Sequence, residues 1–127
     1  MKAQPRPGLT IPVQWLRVID ADTIVVTSTL TGRKIRVRLS GCDAPERHSD
    51  DGIAATRWVE SYLEEYAVGG MLLHLPLPED KDGSGVIDMA ELLQHYVSFE
   101  RVVGELWVGG YSLAESLILR GYADGSR

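Results

Sequence analysis

Over the first forty residues, apolar and β-branched side chains alternate in part with polar ones, as in strands that bury one face. Three runs carry this pattern: VQWLRVI (13–19), DTIVVTSTL (22–30) and RKIRVRLSG (33–41). Thr31-Gly32 reads as a two-residue turn between the second and third runs, which pairs Leu30 with Arg33. The period then lengthens. In DGIAATRWVESYLEEYAVGG, Ala54, Trp58, Tyr62, Leu63 and Tyr66 recur near helical spacing until Gly69-Gly70 ends the run. A fourth strand is predicted at 71–77, closed by Pro76 and Pro78, and a fifth at 99–108. Ser112 with Glu115 forms a capping-box pattern and Gly121 a stop, so a second helix is predicted over 113–120.

Three strands, a helix, two strands and a helix suit an α+β domain that is mainly β. The expected architecture is a five-stranded OB-fold barrel with two main helices. With 127 residues, 44% of them hydrophobic, the chain can bury one core but not two, so residues 1–127 are read as a single domain. No apolar run reaches the roughly 18 residues of a membrane span, and the opening MKAQPRPGLTIP lacks the apolar stretch of a secretory signal. No membrane partner is expected. The 13 basic and 18 acidic residues leave a net charge of -5, so a nucleic acid would have to be met through local basic groups. Cys42 is the single cysteine, which excludes an internal disulfide and a cysteine-based zinc site.

Candidate chemistry gathers at the open end of the predicted hairpin. The two-residue turn places Asp22 opposite Gly41 and Asp20 opposite Asp43, bringing three carboxylates within side-chain reach. Such groups repel one another unless a proton or a cation compensates them, and an oxygen-rich site suits a hard divalent ion. The third strand carries Arg33, Lys34, Arg36 and Arg38, and CDAPE puts Glu46 just beyond it. Arginine forms paired hydrogen bonds to phosphate oxygens, and a nearby carboxylate can take a proton from an attacking water. Metal, arginine and base together suggest phosphodiester hydrolysis. Strict alternation would put Arg38 and Asp43 on opposite faces, so a bulge or bend is required near Ser40-Gly41. Arg33, Lys34 and Arg36 read more simply as a solvated strand face, and Cys42 as a packed strand-end residue. His48, His74 and His95 lack metal-ligand spacing and read as surface or satisfied residues. Trp58 and Trp107 read as core, and Trp15 as core rather than a base-stacking platform.

The stretches VIDADTIVV, VRLSGCDAPE and ERVVGELWVGGYSLAESLILRGYA, in this order and over most of the chain, resemble the thermonuclease, or staphylococcal nuclease-like, family. The resemblance implies an OB-fold barrel that hydrolyses DNA and RNA with calcium. It implies Asp22 and Asp43 as carboxylate ligands of the ion, with the backbone carbonyl of Ala44 as a third. It also implies Arg38 and Arg101 as the phosphate-holding arginines and Glu46 as the general base. Val97, Phe99 and Glu100 stand where the family often reads Asp, Tyr and Gly, and Ala21 stands where glycine is frequent.

Between the fourth and fifth strands, DKDGSGVIDMAE (80–91) follows the spacing of an EF-hand-like calcium loop. Asp80, Asp82, Ser84, the Val86 carbonyl, Asp88 and Glu91 fill the ligand positions, and Gly85 occupies the sharp turn. ELLQHY reads as a short exiting helix. MLLHLPLP before the loop is strand-like, so the entering helix is missing. A single loop without that helix is expected to bind calcium at roughly 10⁻⁵ to 10⁻³ M. The compartment is not set by the sequence, although a weak site fills more readily outside the cytoplasm. The expected function is a calcium-dependent nuclease acting on DNA or RNA, with a second structural or regulatory calcium site. The alternative is a non-catalytic OB-fold module that binds single-stranded nucleic acid or a protein partner.

Overall fold

The computed structural model describes residues 8–76 and 101–125. Strand β1 (Gly8–Asp20) is long enough to serve two neighbours. It pairs antiparallel with β5 (Met71–Pro76) through Gly8–Pro12 and with β2 (Thr23–Ser28) through Val13–Asp20. Register shifts between Trp15 and Arg17 and between Val18 and Asp20 interrupt the second ladder, as bulges do where a strand must curve. Strand β3 (Lys34–Leu39) lies antiparallel to β2 and closes the sheet through a parallel ladder with β6 (Arg101–Val108). The second half of β6 pairs antiparallel with β5. Five strands thus form a closed mixed barrel of OB-fold-like order, β3-β2-β1-β5-β6 and back to β3.

Gly104 sits where β6 passes from β3 to β5. A β-carbon there would lie 3.0 Å from both the His74 carbonyl oxygen and Leu75 Cδ2, so the strands approach this closely only without a side chain. Short pairings complete the fold. Strand β7 (Tyr111–Ser112) turns back on β6, and β4 (Cys42–Asp43) pairs with β8 (Asp124–Gly125).

Helix α1 (Asp50–Tyr66) lays Gly52, Ala55, Val59 and Leu63 on the barrel, and it packs against β1. Helix α2 (Leu113–Leu119) buries Leu113, Ala114 and Leu117, and the Ser112 hydroxyl accepts the Glu115 amide at 3.3 Å, as the capping pattern predicts. Between them the barrel closes on Ile24, Val26, Ile35, Val37, Leu39, Leu73 and Leu106, each buried. Fully burying a side chain of this size stabilises by about 1.5 to 3 kcal/mol. Trp107 is buried, and Trp15 and Trp58 pack partly buried against the core, in agreement with the pattern. Among the described residues no helix is long and apolar enough to cross a membrane.

The hairpin between β2 and β3 departs from expectation. Its loop is Thr29–Gly32 rather than Thr31-Gly32 alone. The Ser28 amide donates to the Arg33 carbonyl at 2.9 Å and the Gly32 amide to the Ser28 carbonyl at 2.8 Å. The buried Ser28 hydroxyl accepts the amides of Leu30 and Thr31 at 3.2 and 3.3 Å, which satisfies the longer loop from inside. The register therefore moves by two residues, so that Thr23 faces Arg38 and the Asp22 carbonyl accepts the Leu39 amide at 2.8 Å. Asp22 does not face Gly41, and Asp20 pairs with Thr23 rather than facing Asp43. A two-residue slip keeps every side chain on its original face, so hydrophobic alternation does not register it. Ala21, where a positive φ would have mattered, has none and is 1% exposed. The calcium-loop motif at 80–91, the short helix predicted after it and His95 lie outside the described residues.

Candidate functional site

Strand β3 ends at Leu39, and the chain then bends. The Ser40 amide donates to the Gly104 carbonyl at 2.8 Å, and Gly41 takes φ +86°, a conformation that glycine adopts without steric cost. This is the bend that a meeting of Arg38 and Asp43 requires, and the two do meet. Arg38 Nη2 donates to Asp43 Oδ1 at 2.6 Å and lies 3.4 Å from Asp22 Oδ2. Its Nη1 donates to the carbonyls of Leu39 at 2.6 Å and Cys42 at 2.8 Å. The guanidinium thus bridges two carboxylates and closes the turn that carries one of them.

Asp22 is the better enclosed of the pair, with its side chain 14% exposed against 61% for Asp43. Its Oδ2 accepts the Ala44 amide at 3.1 Å and its Oδ1 the Thr23 hydroxyl at 3.3 Å. The contact seen at Ala44 is therefore through its N–H. Asp20 Oδ1 accepts the Asp22 amide at 3.3 Å. Burial, together with a hydrogen bond and charge from Asp22, pushes the Asp20 carboxyl up to about 6. Burial opposes charge at Asp22 as well, but hydrogen bonds from Asp20 and the Ala44 amide, with the Arg38 charge, hold its carboxyl below the ordinary carboxylate value. The crowding of acids is thus eased in two ways, by an Asp20 carboxyl that keeps its proton to higher pH than an ordinary carboxylate and by the cation of Arg38.

Cys42 is fully buried beside them, and burial pushes its thiol up to about 11, with the Asp22 and Asp43 charges adding to the shift. That is the packed residue its sequence position suggests. His74 is buried, with Nδ1 2.6 Å from the Thr10 hydroxyl and Nε2 without a partner among the described residues, whereas His48 is exposed.

Glu46 follows in an exposed turn. Its Oε2 accepts the His48 amide at 2.9 Å, and its backbone carbonyl accepts both the Ser49 amide at 3.0 Å and the Ser49 hydroxyl at 2.6 Å. Arg101 enters as the first residue of β6, its backbone beside Arg36 and two positions from Val103, which faces Arg38. Asp43 and Ala44 also line an open cleft of about 490 Å³ with Pro45, Asp51, Ala54 and residues 121–124.

Asp22, Arg38, Asp43 and Ala44 are thus brought together, and Glu46 follows Ala44 at the start of the next turn. Two features escaped the sequence. Ser49 caps α1, its hydroxyl accepting the Gly52 amide at 3.0 Å, and the Ser-Asp-Asp run at 49–51 carried that signal. The rings of Trp58 and Tyr62 stack, Tyr66 lies tilted by 46° against Tyr62, and Tyr122 stacks on Trp58 with centroids 5.3 Å apart. The spacing of the three helical rings was legible, but the arrival of Tyr122 was not.

The donor set is consistent with a hard divalent ion in one specific respect. A single guanidinium nitrogen lies 2.6 Å from Asp43 Oδ1 and 3.4 Å from Asp22 Oδ2, so the two carboxylates face one cationic position. Among the described residues no group of three or more His, Cys, Asp or Glu side chains is gathered as a metal site. Compared with known proteins, the chain matches no family model and no curated protein.

Proposed function

We propose that this chain is a calcium-dependent phosphodiesterase of the thermonuclease type, hydrolysing DNA or RNA. The observation that supports it is the Arg38 guanidinium held between Asp22 and Asp43 at the bent end of a barrel strand. In this reading Asp22, Asp43 and the Ala44 carbonyl hold the ion. When bound, calcium neutralises phosphate charge and favours ionisation of a nearby water. Arg38, released from Asp43, and Arg101 bind the phosphate oxygens and stabilise the charge that grows on them. Glu46 accepts the water's proton through Oε1, which has no partner among the described residues. Cleavage of denatured DNA in calcium and in chelator tests the assignment. Arg38→Ala and Glu46→Gln should each lower turnover by at least about 10²-fold; wild-type turnover in either variant would sink it.

The acidic loop at 80–91 is proposed as a second calcium site, with Asp80, Asp82, Ser84, Val86, Asp88 and Glu91 as ligands. Glu91→Gln should lower the melting temperature in calcium but not in chelator. Identical melting of the two proteins in calcium would remove this site.

A second reading, a non-catalytic OB-fold module, draws on the same guanidinium. Both Arg38 Nη atoms already donate to the turn or to Asp43, as a purely structural arginine would. Binding of single strands without calcium-dependent cleavage, at high protein concentration, would favour it.

A further inference from the structure

Glu46 lies in a short exposed turn, where a side chain would ordinarily sample many positions. Its surroundings are nevertheless specific. The Ser49 hydroxyl donates to the Glu46 carbonyl at 2.6 Å while accepting the Gly52 amide at 3.0 Å, so one side chain ties the turn to the first residues of α1. The Ser49 amide donates to the same carbonyl at 3.0 Å, and the Ile53 amide donates to the Ser49 carbonyl at 2.9 Å. Gly52 is buried with an ordinary helical φ, so its lack of a side chain is not explained by backbone conformation. Packing explains it instead. A β-carbon there would collide with the Glu46 carbonyl oxygen and come within 2.7 Å of its carbonyl carbon and 3.0 Å of Ser49 Oγ. The colliding atoms are backbone, which cannot swing aside as a flexible side chain can.

We infer that Ser49 and Gly52 are positioning residues for Glu46. Gly52 leaves the space in which the Glu46 carbonyl rests on the start of α1, and Ser49 ties it there. With the backbone seated, the His48 amide reaches Glu46 Oε2, and the other carboxylate oxygen has no partner among the described residues, as a base requires. The seat deepens the nuclease reading and rests on it for its catalytic meaning, but its geometry can be tested without that reading.

Two measurements on the whole chain separate these questions. The first is hydrogen exchange at the His48 and Ser49 amides. Gly52→Ala should accelerate both by about 10-fold or more while the β2–β3 amides stay protected. The second is kinetics on denatured DNA in calcium. Gly52→Ala should lower kcat by about 10²-fold, with KM and calcium affinity within about threefold of wild type. Ser49→Ala should move both readouts the same way by less, and Ser49→Thr, which keeps the hydroxyl, should restore them. If Gly52→Ala does not fold, the two Ser49 variants carry the comparison. Retained protection of both amides in Gly52→Ala, or in Ser49→Ala where that pair carries the test, overturns the seat. Lost protection with unchanged kcat overturns the positioning role, and a Ser49→Thr that behaves like Ser49→Ala overturns the tie through the hydroxyl. If the wild type itself shows no calcium-dependent cleavage, the nuclease reading fails and exchange alone decides the seat.

Discussion

Arg38 is held among charges, whereas Glu46 is held by neutral backbone groups and one hydroxyl. Around Arg38, two carboxylates and two carbonyls converge on one cation, and the segment from Leu39 to Asp43 folds around it. Around Glu46, the order comes from a helix N-terminus whose cap, Ser49, also receives the preceding turn. Hydrogen bonds of this second kind are short-ranged and insensitive to ionic strength, whereas the outer part of the first is screened by salt. Arg38 is thus kept responsive to charge, whereas the turn of Glu46 is tied by geometry.

This contrast can be broken by experiment, beginning where the effect should be largest. Asp22→Asn removes a well-enclosed charge that contacts Arg38 and accepts the Ala44 amide, and should cost about 1.5 to 3 kcal/mol by denaturant unfolding. A loss below about 0.5 kcal/mol would mean that the charged half is not held as described. Ser49→Ala should cost about 1 kcal/mol, as removal of a helix N-cap does, with the same cost in low and high salt. A loss that shrank with added salt would erase the distinction between the two halves. Asp43→Asn touches an ion pair whose carboxylate is largely exposed, so its cost should stay below about 1 kcal/mol and fall further as salt is added. The smallest signal belongs to Cys42. Buried, with its thiol pushed up to about 11, it should resist alkylation at pH 8 in the native protein and react on unfolding. Rapid labelling of native protein would show that the turn around Arg38 opens easily.

The barrel was largely legible in the residues. Ile24, Val26, Ile35, Val37 and Leu39 mark buried faces by alternation, and the helical spacing over 54–66 marks the existence of α1 but not its face: Gly52, Ala55, Val59 and Leu63 are buried, whereas Ala54 and Tyr66 are exposed. The candidate site was legible only in part. Alternation demanded a bend near Ser40-Gly41, and Gly41 supplies it. The hairpin register was wrong by two residues because a buried Ser28 favours the longer loop, and a hydroxyl's partners are not written in a hydrophobic pattern.

By itself, then, the sequence determined the main strands and helices and the faces that β2 and β3 bury, since local periodicity is a property of neighbouring residues; that α1 meets the barrel through Gly52, Ala55 and Val59 appeared only in the structure. It also named most of the polar groups of the candidate site. Only the tertiary structure decided that Asp22 lies beside Arg38 rather than opposite Gly41, that Arg38 closes the turn carrying Asp43, and that Gly52 makes room for the Glu46 carbonyl. Each depends on a distance between segments, which is set by how turns and side chains fit together in three dimensions.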